Sequence, residues 1–203
     1  MSNNPETKRP FGLLGRYAGV KGLSTRTSVG RGLVDNADEI TVELVQERTD
    51  DVRALIGELD RILSAEYTPA QRHGLALDTI FKPGIRFFLV RMKGAAVGCG
   101  GVAFFTDFAE LKRMYVRDVA RGGGAARALL ARIEREAPEG GFALLRLETG
   151  ARQTAALRFY RREGFQPCAA FGAYTTMAPQ AVATSAFLQK QLGSPAARGD
   201  RVS

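Results

Sequence analysis

Met114-Tyr115-Val116-Arg117-Asp118-Val119-Ala120-Arg121-Gly122-Gly123-Gly124-Ala125-Ala126-Arg127-Ala128-Leu129-Leu130 runs from an apolar strand, through a basic turn with three successive glycines, into the opening of an amphipathic helix. Gly122, Gly123 and Gly124 take Cβ atoms out of the turn, so the main chain can come close to a ligand. The first helical turn exposes N–H groups with no partner inside the helix, and the helix dipole puts partial positive charge there. That junction suits phosphate, and Arg121 and Arg127 add formal charge. A glycine-rich turn also serves plain tight packing of a helix on a sheet, so the flanking sequence has to decide. No Gly-Lys-Ser/Thr follows, as a nucleoside triphosphate loop requires, and no early βαβ unit carries the GxGxxG of a dinucleotide fold.

Working outward, Ile40, Val42 and Leu44 alternate with Thr41, Glu43 and Val45, which predicts a half-buried strand. Residues 50–65 carry Val52, Leu55, Ile56, Leu59, Ile62 and Leu63 at helical spacing. A second helix is expected over 69–81, opened by Thr68-Pro69. Residues 85–91 and 95–105 predict a hairpin about Lys93-Gly94, followed by a strand over 109–116. Beyond the glycines, residues 125–137 predict a helix closed by Pro138 and Gly140-Gly141. A strand over 142–147, a helix over 154–162 ending at Gly164, a strand from Phe165 onward and a last strand over 185–191 complete the chain. The element order β-α-α-β-β-β-α-β-α-β-β is that of an α/β (α+β) domain with a sheet of about seven strands.

Two motifs make this reading more specific. Arg121-x-x-Gly124-x-Ala126 after an apolar strand resembles the Arg/Gln-x-x-Gly-x-Gly/Ala pyrophosphate motif of the GNAT N-acetyltransferases. Downstream, Gln153-x-x-Ala156-x-x-Phe159-Tyr160-x-x-x-Gly164-Phe165 resembles that family's Asn-x-x-Ala-x-x-Leu-Tyr-x-x-x-Gly-Phe signature. The resemblance covers residues 40–192 and implies a GNAT-like mixed central sheet flanked by helices. This sequence departs at Gln153, Gly123 and Ala126, where the family usually has Asn, a basic residue and Gly.

The resemblance further implies an acetyl-CoA-dependent N-acetyltransferase, in which an amine attacks the thioester directly. By it, Met114, Tyr115 and Val116 would meet the pantetheine arm and Gly122 to Ala126 the pyrophosphate, with Arg121, Arg127 and Gln153 alongside. Tyr160, at the signature tyrosine, would hydrogen-bond or protonate the departing sulfur, with Phe159 the core member of the pair. Glu110 lies eleven residues before Arg121, where some GNAT members carry a general-base glutamate. A carboxylate paired with Lys112 on the same strand face is the plainer account of it. Glu148, ending the strand beside the cofactor strand, is the other base candidate, and a water chain stays open as a third route. Arg72 and His73 fall in the acceptor region, where an arginine could grip a carboxylate and favour amino-acid-like acceptors. Small amines, antibiotics and protein termini remain alternatives. A CoA-ester sensor of the same fold without turnover is the rival to an enzyme, separable by whether free CoA is released with amines.

Composition sets the outer bounds. A chain of 203 residues with 45% hydrophobic and 25% charged residues fits one globular domain. No run of about 18 apolar residues is present, so no membrane partner is expected. Two cysteines, Cys99 and Cys168, and one histidine give neither a disulfide framework nor a metal site, which predicts a reducing, cytoplasmic setting. The net charge of +8 suggests nucleic acid until it is located. Lys8, Arg9, Arg16, Lys21, Arg26 and Arg31 face only Glu6 within the first 34 residues, and Lys190, Arg198 and Arg201 face only Asp200 at the far end. The middle is nearly neutral, so no specific nucleic-acid partner is expected; the basic extension alone would attract polyanions weakly. Residues 1–38 read as a flexible basic extension, though their Arg- and hydroxyl-rich, acid-poor character also resembles a transit peptide. Residues 39–192 read as the catalytic domain and 193–203 as a flexible tail. A homodimer is the default assembly for such enzymes.

Overall fold

Phe87, Phe88, Leu89 and Val90 are consecutive, apolar and all buried, which requires cover on both faces of the strand that holds them. The computed structural model describes residues 40–193 and supplies that cover. The extension expected over residues 1–38, and all but the first residue of the tail expected over 193–203, lie outside these. The strands are β1 (Ile40–Val45), β2 (Ile85–Met92), β3 (Ala95–Phe104), β4 (Ala109–Val116), β5 (Leu144–Gly150), β6 (Gln166–Pro167) and β7 (Ser185–Gln191). The helices are α1 (Asp50–Glu66), α2 (Ala125–Glu139), α3 (Thr154–Arg162) and the short α4 (Pro179–Val182). One seven-stranded sheet results, in the order β1-β2-β3-β4-β5-β7-β6. All neighbours are antiparallel except β4 and β5.

Alternation along β2 divides the core. Phe87 and Leu89 join Val52, Leu55 and Ile56 of α1, whereas Phe88 and Val90 join Leu129, Leu130 and Ile133 of α2 on the other face. Each such side chain taken from water contributes roughly 1.5–3 kcal/mol, so the sheet and its two main helices fold as one unit. Local chemistry starts the helices where packing needs them. Thr49 caps α1, its hydroxyl accepting from the Val52 amide at 3.3 Å, with Asp50 and Asp51 in the first turn. Among the described residues no helix is long and apolar enough to cross a membrane.

Two expected elements differ. The helix over 69–81 is a single 3-10 turn, Pro69–Gln71, followed by a chain of turns. Its start signals are real, since the Gln71 side chain accepts from the Thr68 amide at 3.1 Å. Beyond it, Arg113 takes over the backbone: its Nε donates to the Leu75 carbonyl at 2.6 Å, an acceptor a continuing helix would use. The Arg113 guanidinium also occupies the space beside Gly74, where a Cβ would come within 2.8 Å of it. Tertiary bonds thus override local propensity. The strand expected from Phe165 onward is only Gln166–Pro167: Pro167 has no N–H to give the ladder, and one further bond, from the Cys168 amide to the Phe187 carbonyl at 3.0 Å, ends the pairing. The chain turns instead through a 3-10 segment, Gly172–Thr176, whose Tyr174 packs with Phe108 and Phe171 in a separate aromatic cluster. The glycine pair at 140–141 does close α2, but the helix runs through Pro138 to Glu139.

Candidate active site

The site begins with a break in strand pairing. β4 and β5 pair only from Ala109–Leu145 to Leu111–Leu147, after which β4 continues to Val116 without β5 beside it. A bulge marks the divergence: Gly101 faces Lys112 and Cys99 faces Tyr115, so β4 carries one residue more than β3 across this stretch. Arg113 sits in it with φ of 55°, a left-handed conformation unusual for a side-chain-bearing residue. It is held there by Asp60 of α1 and the Leu75 carbonyl. Gly100, opposite the bulge, leaves little room for a side chain, since a Cβ would lie 3.1 Å from the Met114 Cα. The edge of β4 that turns from β5 thereby becomes one wall of a groove.

A cavity of about 420 Å3 fills that groove. Met114, Tyr115 and Val116 line one side, and Arg121, Gly122, Gly124, Ala125, Ala126 and Arg127 close one end. Gly124 is the N-cap of α2 with φ of 89°, and Gly122 has φ of 78°; neither conformation suits a residue with a Cβ. The first helical bond runs from the Ala128 amide to the Gly124 carbonyl at 2.9 Å, so the amides of Ala125, Ala126 and Arg127 have no partner within the helix. Together with the dipole they form an anion cradle that fits a diphosphate. Arg121 pairs with Asp118 at 2.7 Å and Arg127 stays mostly exposed, 3.8 Å from Glu163. Gly123, expected in the cradle, packs instead against the Met92 side chain, where a Cβ would come within 2.8 Å. Phe159, expected in the core, lines the groove as well.

A second cavity, of about 130 Å3, adjoins the first. Its walls include Arg72, His73, Lys112, Arg113 and Glu148, and it shares Met114, Gln153, Ala156 and Tyr160 with the groove. Tyr160 is buried, its ring against Phe159 and Phe165, and burial pushes its phenol above the ordinary range. Its hydroxyl, without a hydrogen-bond partner among the described residues, therefore keeps its proton and can donate. Gln153 bridges α3 to α1, its Nε2 donating to Glu66 Oε2 at 2.6 Å.

The two base candidates part company here. Glu110 is almost wholly buried, at 2% exposure, and lines neither cavity. Its Oε1 lies 2.6 Å from Lys112 Nζ and accepts from the Tyr174 hydroxyl at 2.9 Å, while Lys112 Nζ donates to that hydroxyl at 2.7 Å. The pairing with Lys112 is as the strand period suggests, but the pair is enclosed, not solvated. Glu148 is half-buried and faces the smaller cavity. Burial raises its carboxyl above the ordinary range; the Ser185 hydroxyl, donating at 2.6 Å, pulls it down, as do His73 and Lys112, and Glu110 pushes it up. His73 belongs to the loop after the 3-10 turn, with Nε2 3.0 Å from the Ala181 carbonyl and its ring edge-on to Tyr174. Tyr174 and Ser185 escaped the sequence reading. No motif marks them, and only the return of residues 172–185 across the sheet brings them here.

Known proteins agree with this architecture. A family model described as the acetyltransferase (GNAT) family matches residues 55–165. An IAA acetyltransferase of Azospirillum brasilense is 43% identical over 137 residues, covering 66% of this chain and 90% of that protein. YjgM of Escherichia coli, described as an uncharacterized N-acetyltransferase, is 33% identical over 124 residues, 55% of this chain and 74% of its own length. Among solved structures, a Klebsiella pneumoniae protein described as an acyl-CoA N-acyltransferase superposes with a TM-score of 0.62 at 30% identity, covering 78% of this chain and all of that one. The PaiA N-acetyltransferase of Thermoplasma acidophilum, solved with coenzyme A, shares the fold at 15% identity and a TM-score of 0.55, covering 74% of this chain and 99% of that one.

Proposed function

The chain belongs to the GNAT acetyltransferase family and is an acyltransferase; from that premise we propose that it moves the acetyl group of acetyl-CoA onto the primary amine of a small acceptor. The observation that carries this reading is the meeting of two cavities at Tyr160, Met114, Gln153 and Ala156, one with an anion cradle and one with a half-buried carboxylate. A sensor that only bound a CoA ester would have no use for the second cavity, so turnover is the favoured reading. The free thiols Cys99 and Cys168 support work in a reducing cytoplasm.

When bound, acetyl-CoA supplies a thioester whose carbonyl carbon bonds to the neutral amine as the carbon–sulfur bond breaks and its electron pair leaves on sulfur. Glu148 accepts the proton that the acceptor ammonium must first lose, directly or through one water, and its raised pKa brings it closer to that task. The amine loses its second proton to solvent after the new bond forms. Tyr160 donates a hydrogen bond to the departing sulfur. A thiol ionises below this phenol, which burial raises above the ordinary tyrosine range, so the hydroxyl stabilises the thiolate and does not surrender its proton to it. The Ala125, Ala126 and Arg127 amides hold the diphosphate, and the free edge of β4 aligns the arm so that amine and thioester meet beside Tyr160.

Free CoA release from acetyl-CoA with a panel of primary amines tests the reading. Glu148→Gln is expected to lower kcat/KM by about 100-fold or more, and Tyr160→Phe to lower kcat by about 10-fold, both with unchanged acetyl-CoA affinity in calorimetry. Turnover equal to wild type in either variant removes that residue from the mechanism, and no turnover with any amine removes the activity.

A further inference from the structure

Four cationic or cationisable side chains reach the smaller cavity, and three of them are already spoken for. Lys112 has Glu110, Arg113 has Asp60 and the Leu75 carbonyl, and His73 Nε2 lies 3.0 Å from the Ala181 carbonyl. Arg72 is different. Its one side-chain hydrogen bond among the described residues runs from Nη1 to the Ser64 hydroxyl at 2.7 Å, and it has no carboxylate partner there. Its Nε is buried and unpartnered. A guanidinium stays charged at any working pH, so this N–H cannot be relieved by losing its proton, only by gaining an acceptor. The Ser64 bond uses Nη1 and leaves the Nε–Nη2 edge, whose two parallel donors match the two oxygens of a carboxylate.

Glu148 is the lone carboxylate lining this cavity among the described residues. One anion and one uncompensated cation on the same small chamber form a complementary frame for a zwitterion. The volume of about 130 Å3 corresponds to about four waters at their liquid share, room for a compact ligand of a few heavy atoms. We propose that the acceptor is a small amine that carries a carboxylate, an amino acid, whose carboxylate pairs with the Nε–Nη2 edge of Arg72 while its amino group lies toward Glu148. This rests on the smaller cavity being the acceptor site. Arg72 is then a specificity residue: it selects and orients the acceptor and takes no part in proton transfer.

The test uses the full chain and free CoA release with glycine, L-alanine, L-serine, L-methionine and β-alanine, each set against its carboxamide. Wild type is expected to use at least one of the acids with kcat/KM about 10-fold or more above its carboxamide, because the amide cannot satisfy the guanidinium as an anion does. Arg72→Met is expected to raise KM for that acid on the order of 10- to 100-fold with a smaller change in kcat, and to leave the carboxamide and the acetyl-CoA affinity unaltered. Arg72→Lys, which keeps charge without the fork, should recover part of the loss. Carboxamides used as well as the acids, or Arg72→Met lowering both in the same proportion, overturns the proposal while the transferase reading stands. If Arg72→Met loses acetyl-CoA binding or melts early, the wild-type comparison of acid with carboxamide decides alone. Acetyl-CoA binding without acetylation of any amine removes both readings.

Discussion

The two cavities that meet at Tyr160 are built by different means. The larger is a main-chain site: the free edge of β4, Gly122, Gly124 and the first turn of α2 all come from residues 114–127. The smaller is a side-chain site, whose Arg72, His73, Lys112 and Glu148 come from three separate stretches and depend for their settings on Ser64, Glu110, Tyr174 and Ser185. A main-chain site can lose most of its side chains and still bind, but cannot gain a Cβ in the wrong place. A side-chain site is the reverse, tolerant of backbone detail and sensitive to each charge and each partner.

The largest effect is expected where the main-chain site is most constrained. Gly124→Glu sets a negative side chain against the diphosphate and forces φ of 89° on a residue with a Cβ, at a cost of about 1–2 kcal/mol in folding. Acetyl-CoA affinity should fall about 1,000-fold, roughly 4 kcal/mol, by calorimetry. Gly124→Ala shares the backbone strain without the charge and should lose much less. Equal losses in the two variants would mean that the cradle works by shape alone, and no loss in either would break the contrast between the cavities.

Next in size is the removal of one partner from the buried pair beneath the side-chain site. Glu110→Gln leaves Lys112 enclosed without a counter-ion, which costs about 3 kcal/mol when a buried pair is broken. For a domain of this size that is a fall of about 6–12 °C in melting temperature. Turnover per folded molecule should stay within about 10-fold. An undiminished melting temperature with turnover lost by about 100-fold would return Glu110 to the role of base and make Glu148 the structural carboxylate.

The same contrast explains which parts of the molecule are legible in the sequence. The groove was legible because its parts are contiguous: strand, glycines and helix start fall within seventeen residues, and each has a local chemical reason. Both main helices and the strands β1 and β5 announce themselves through period-3.6 or period-2 alternation, and β2 and β3 through apolar runs about Lys93-Gly94. The region 69–81 misleads because Thr68, Pro69 and Gln71 give true start signals, whereas the terminating influence, Arg113, lies some forty positions away. Glu110 misleads in the same manner. Its distance from Arg121 is visible in the chain, but Tyr174, which helps bind it away from both cavities, arrives through a turn-rich segment that Pro167 and Gly172 make unlike any strand. Long-range polar pairing leaves no periodic trace, so the smaller cavity could be guessed residue by residue but not assembled.

The smallest and most discriminating change addresses Glu148 through its neighbour. Ser185 donates to Glu148 Oε1 at 2.6 Å and favours the ionised carboxylate against the burial that raises its pKa. His73 and Lys112 act in the same direction as Ser185, and Glu110 opposes them, with Tyr174 between Lys112 and His73. Ser185→Ala removes the donor and leaves burial less opposed, so Glu148 holds its proton to higher pH. A base works only when deprotonated, so the acid limb of the kcat/KM profile should move toward higher pH, with little change on the plateau above it, where the carboxylate is ionised in either protein. Acetyl-CoA affinity should not change, because Ser185 does not line the larger cavity. A limb that stays in place or moves downward would mean that the acid limb reports some group other than Glu148, and the proton would have to leave the acceptor by a route through water that bypasses this carboxylate.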